Sequence, residues 1–114
     1  MHVEAPSLEV TLAAVAAIRR EMSSIAECQP IAVLSWVVGS SWGEMLPNGE
    51  ENITVLGPHW EVGYHSSARI PPEETCEISG IRFTFAAPAK MMHWLSGATL
   101  DYIRGRFEVQ KRAI

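Results

Sequence analysis

Gly39-Ser40-Ser41-Trp42-Gly43 is the stretch whose spacing most directly suggests chemistry. It fits G-x-S-x-G, the sharp strand-to-helix turn that presents a nucleophilic serine in α/β-hydrolases. Such a serine needs a following helix, then an acid, then a histidine. Here Glu44 to Gly49 reads as loop, the only aspartate is Asp101, and no histidine comes after it. The run therefore reads as a glycine-rich loop, and no enzymatic activity is expected.

Metal chemistry is the second possibility. The histidines are His2, His59, His65 and His93, and the cysteines are Cys28 and Cys76. The cysteines form neither a CxxC motif nor a zinc-knuckle spacing. His59 and His65 share one face of a predicted strand, but six residues of extended chain separate them by roughly 20 Å. His59 and Glu61, two apart, can face one ligand, yet two ligands make a weak site. Cys28, Cys76, His59, Glu61 and His65 are thus weak metal candidates, and His93 reads as a packing or surface residue of a short helix. A symmetric dimer would bring four thiols together, formally enough for a cluster. Glu50-Glu51 and Glu73-Glu74 read as solvated loop pairs. Arg104, Arg106, Lys111 and Arg112 read as a charged edge strand.

The elements that must position these groups follow from periodicity. Leu12, Val15, Ile18, Met22 and Ile25 recur at helical spacing, which predicts a helix from Leu12 to Ala26 with Thr11 as its N-cap. Ile31 to Val38 is apolar on both alternating sets and predicts a strand covered on both faces. Gly39 to Gly49 reads as loop, with Pro47-Asn48-Gly49 as a turn. Ile53 to Leu56 predicts a strand. Gly57-Pro58 turns it into a returning strand, Trp60 to Tyr64, with one buried face. Ile70 to Glu74 is loop. Ile81, Phe83 and Phe85 alternate with Arg82 and Thr84 as a half-buried strand. Pro88 opens a short helix from Ala89 to Leu95, Gly97 ends it, and extended chain from Leu100 to Val109 is broken at Gly105. The order is helix, strands, short helix, strands, which predicts one α+β domain over residues 1–114 with a mainly antiparallel or mixed sheet.

Composition narrows the function classes. With 47% hydrophobic and 19% charged residues the chain is a folding sequence, not a disordered one. Its net charge of −4 argues against nucleic acid as a partner. No apolar run reaches the roughly 20 residues of a membrane helix. The N-terminus shows no signal pattern, so a cytoplasmic location is expected.

Leu95-Ser96-Gly97-Ala98-Thr99-Leu100-Asp101-Tyr102 resembles the L-x-G-x-x-(I/L/V)-D-Y signature of HesB/IscA-like proteins, the A-type iron–sulfur carriers. Thr11, Ala14 and Ile18 are similar to that family's opening T-x-x-A-x-x-x-I. Ile31 to Val38 with the Gly39–Gly43 loop is similar to its strand leading into G-G-C-S-G. Gly80 to Phe85 is similar to the strand before its short helix. The resemblance implies a HesB-like fold: twisted, mainly antiparallel or mixed sheets with one long N-terminal and one short helix. It also implies three cluster-binding cysteines, one in the loop and two in a C-G-C segment. The loop holds Ser40 and Ser41 instead, and the 114 residues contain no C-G-C. Clusters are held mainly by thiolates, so no cofactor is expected and the scaffold alone is carried over. The expected role is a non-catalytic interaction or scaffold module that binds itself or another protein. Ser40, Ser41 and Trp42 are the interaction candidates, Trp42 being an aromatic anchor in a polar stretch. The alternative is a metal or iron–sulfur protein using Cys28, Cys76, His59 and His65.

Overall fold

A threonine sets the start of the first helix, as expected. Thr11 is extended at φ −68° and ψ 160°, and its hydroxyl accepts the Ala14 N–H at 3.2 Å. The computed structural model describes residues 6–25 and 29–111. Along the chain run β1 (Glu9–Val10), α1 (Leu12–Ser23), β2 (Pro30–Val37), β3 (Ser40–Met45), β4 (Glu51–Leu56) and β5 (His59–Ser66). Two single 3₁₀ turns, Ser67–Arg69 and Pro72–Glu74, lead to β6 (Cys76–Ile78), β7 (Ile81–Ala86), α2 (Ala89–Leu95), β8 (Ala98–Ile103) and β9 (Arg106–Lys111). The class is α+β.

Helix α1 keeps most of the expected stripe, with Ile18 in the core and Val15 and Met22 packed against it, and departs from it at Leu12. Its buried residues are Ala14, Ala17 and Ile18, while Leu12 is 89% exposed. The small alanine face lets the helix backbone lie close to β8, and the Thr11 N–H donates to the Leu100 carbonyl at 3.0 Å. That bond fixes the helix rotation and leaves Leu12 outside. The helix ends at Ser23 rather than at Ala26, which is outside the described residues. The Ser23 and Ser24 hydroxyls donate to the Arg20 and Glu21 carbonyls, diverting acceptors from the helix ladder.

Strand β2 is central in a four-stranded mixed sheet ordered β5-β2-β7-β6. It pairs antiparallel with β5 and parallel with β7. Ile31, Ala32, Val33 and Leu34 are all buried, so the strand is covered on both faces over its first half. A three-stranded sheet is ordered β1-β8-β9, with β1 parallel to β8. Arg104 (φ 54°) and Gly105 (φ 82°) close the β8–β9 hairpin in the left-handed conformation that a two-residue turn of matching twist requires. The core lies between α1, α2, β8 and the four-stranded sheet. Ile18, Leu34, Phe83, Leu95 and Leu100 are its largest fully enclosed side chains.

Residues 39–49 are not a loop throughout. β3 covers Ser40–Met45 and pairs antiparallel with β4. The expected Pro47-Asn48-Gly49 turn joins them, with Gly49 at φ 87° and the Gly49 N–H on the Leu46 carbonyl. Ser-Ser-Trp-Gly-Glu-Met has little strand propensity, and pairing to β4 supplies the order that propensity lacks. The Glu51 carboxylate lies over Gly43, in the space a side chain there would enter. Likewise β5 does not return along β4; it returns along β2. The β3–β4 hairpin joins no third strand among the described residues. It projects from the body, and the Cα radius of gyration is 16.2 Å, against about 13 Å for a compact chain of this length.

Candidate functional site

The hairpin is the first candidate. Opposite residues of an antiparallel pair share a face, so Ser41, Gly43 and Met45 lie beside Val55, Ile53 and Glu51. Met45, Ile53 and Val55 are 72%, 62% and 73% exposed, and Val38 at the hairpin base is also exposed. Ser41 is exposed with Val55 as its cross-strand neighbour, so no general base sits opposite it. Ser40 and Trp42 hold the β3 positions opposite Leu56 and Thr54. All three sequence-chosen interaction residues therefore fall on one projecting strand.

The weak metal candidates are spread out. His59 and Glu61 meet at the start of β5: His59 Nε2 lies 2.8 Å from Glu61 Oε1, and Nδ1 lies 2.7 Å from the Gly57 carbonyl oxygen. The Gly57 carbonyl first, and the Glu61 side chain second, raise the His59 pKa above its ordinary value. His65 is exposed at the other end of β5, opposite Ile31. Cys76 is half-buried on β6 opposite Phe83, and burial raises its thiol pKa, which disfavours the thiolate a metal needs. Cys28 is outside the described residues. No group of three His, Cys, Asp or Glu residues able to hold a metal occurs among the described residues.

A second feature was hidden in the sequence. Trp36 and Trp60 are a cross-strand pair on β2 and β5, with ring centroids 5.2 Å apart at 61°. Trp94 of α2 stacks on Trp60 at 6.3 Å and 20°. These three indoles, with Phe107, line a groove of about 600 Å³ where β5 and β9 part. Its polar lining is His59, Glu61, Arg106, Glu108 and Gln110. Trp36 and Trp60 read from the sequence as strand core, which their half-burial partly bears out. Their meeting with Trp94 depends on the β2–β5 register and the placement of α2, which no local pattern encodes.

The two segments that carry the family resemblance also meet. The Thr11 hydroxyl donates to Asp101 Oδ1 at 2.7 Å, and the Tyr102 N–H donates to the same oxygen at 2.8 Å. Ala14, Ile18, Leu95 and Leu100 are fully buried around this joint. Asp101 thus ties the helix cap to β8. Among the described residues no helix is long and apolar enough to cross a membrane. The chain matches no family model, and neither curated proteins nor solved structures give a significant match.

Proposed function

We propose that this chain is a non-catalytic protein-interaction module on a HesB/IscA-like scaffold, with the β3–β4 hairpin as its docking arm. The observation that carries this reading is the isolation of the hairpin. A lone two-stranded hairpin is marginal in water and gains stability from a third strand or a covering surface. Both outer edges of this one are unpaired among the described residues, and Met45, Ile53 and Val55 offer apolar side chains on one face. Unpaired edges of this kind join other strands. A second copy of the chain supplies a matching edge and the same apolar row, so self-association is the first expected mode.

The scaffold part of the proposal is supported by the joint between Thr11 and Asp101. It gives the resembling residues a shared structural task that needs no cluster. The metal reading gains nothing from the dispersal of His59, His65 and Cys76.

Sedimentation velocity over a wide concentration range tests the docking arm. The unaltered chain is expected to associate, and Val55→Lys or Trp42→Ala to sediment as monomer. A chain that is monomeric at every concentration would remove self-association. Anaerobic reconstitution with iron and sulfide tests the scaffold reading separately. No visible chromophore is expected; a stable one lost in Cys28→Ser/Cys76→Ser would replace the proposal with a carrier using relocated ligands.

A further inference from the structure

The charges of the hairpin arm are all of one sign and all at one end. Residues 39–57 hold Glu44, Glu50 and Glu51 and no lysine or arginine. Glu44 stands opposite Asn52 and Glu51 opposite Met45, in the half of the ladder next to the Pro47-Asn48-Gly49 turn. The half next to the body, residues 40–43 against 53–56, carries no charge. Two copies pairing their arm edges can run in the same direction or in opposite ones. In the same direction, the glutamates of one tip meet those of the other, and like charges brought together across an interface are costly. Opposite directions, about a two-fold axis, set each tip beside the base of the other arm. Six residues of strand span roughly 20 Å, which keeps the two acidic tips apart.

The groove between β5 and β9 stands at that base. Its lining includes Pro58 and His59, where the chain leaves the arm for β5, and the indoles of Trp36 and Trp94. Arg106 lines it too, and Arg104 is exposed in the turn just before. The two carboxylates of the lining already have partners. Glu61 lies 2.8 Å from His59; Glu108 accepts from the Gln110 amide at 3.1 Å and lies 3.8 Å from Arg106. Arg104 and Lys111, on either side of β9, enter no ion pair among the described residues. Lys111 reaches back to the Trp94 carbonyl at 3.0 Å, at the wall of the groove. An acidic tip therefore meets a rim with positive charge to spare. Met45, 72% exposed near the tip, meets indole faces, on which a thioether packs well.

We propose that the chain forms a reciprocal two-fold dimer in which the arms pair antiparallel and the acidic tip of each seats in the β5/β9 groove of the other copy, against Arg104 and Arg106. This rests on the docking role of the arm and adds the surface that receives it.

The test is charge exchange in the full chain, read by sedimentation velocity. Glu44→Lys/Glu50→Lys reverses the tip and leaves the Glu51 carboxylate over Gly43. Arg104→Asp/Arg106→Glu reverses the rim and suits the left-handed turn, where an Asp-Gly pair is favoured. All these positions are exposed, so the fold is spared. Each variant alone is expected to dimerise about tenfold or more weakly than the unaltered chain. An equimolar mixture of the two is expected to recover dimers, as heterodimers, because each reversed tip then meets a reversed rim and each native tip a native rim. Two results would overturn the assignment. If the unaltered chain dimerises and Val55→Lys abolishes this, but the mixture is no stronger than either variant alone, the arm docks elsewhere and only the groove assignment falls. If the unaltered chain is monomeric at every concentration, self-association and this assignment fall together.

Discussion

The α1–β8 joint and the β3–β4 hairpin are both built from short runs of chain, yet they spend their apolar residues in opposite ways. At the joint, Ala14, Ile18, Leu95 and Leu100 are fully enclosed, and the polar groups Thr11 and Asp101 satisfy each other. In the hairpin, Met45, Ile53 and Val55 stand in solvent and the strands satisfy only their inner edges. One region is complete by itself; the other leaves both its outer backbone edges and its apolar row open among the described residues. Burial thus separates residues that hold the fold from residues free to serve an interaction.

The contrast can be broken most strongly at Leu100. Leu100→Ala empties an enclosed site and is expected to cost about 2–5 kcal/mol in chemical denaturation. Next comes Thr11→Ala, which removes the helix cap and one of the two hydrogen bonds that Asp101 Oδ1 accepts; about 1–2 kcal/mol is expected in the same assay. Ile53→Lys with Val55→Lys sharpens the comparison from the other side. Stability of the monomer should move by no more than about 0.5 kcal/mol per site, because no packed neighbour is lost. A large loss there would show that the arm is packed on the body.

The smallest effect concerns His59. Its raised pKa means that the folded state holds this proton more tightly than the unfolded chain. The associated stability is fully present below the unfolded pKa, about 6.5, and is lost as pH rises through the folded value. Exposure keeps it small. In Glu61→Gln the His59 pKa, followed by NMR titration, should fall; the Gly57 carbonyl still holds the ring, so part of the elevation should survive.

What the sequence disclosed was local. Thr11 announces a cap, Pro88 a helix start, and Ile81, Phe83 and Phe85 a half-buried strand, because each signal is completed within a few residues. On α1 only Leu12 departs from the periodic face, because it satisfies helical periodicity while the Thr11–Leu100 bond, which sets the rotation, spans most of the chain. β3 escaped for the same reason: its order comes from β4. The interaction candidates Ser40, Ser41 and Trp42 were placed together by adjacency alone. The tryptophan groove needed three distant segments, and neither Trp36 nor Trp60 differs locally from a core residue.

The β2–β5 register carries a consequence for how this chain can be cut and rejoined. Val37 faces His59 directly, so residues 38–58 leave the sheet and re-enter it at adjacent points. The whole arm occupies the place of an ordinary hairpin turn. An Asn-Gly pair in its stead would shorten the connection by about three halvings, lowering closure cost by roughly 2 kcal/mol. The body would then fold as a truncated miniature, and the vacated position would accept a graft of unrelated sequence without disturbing the strands on either side.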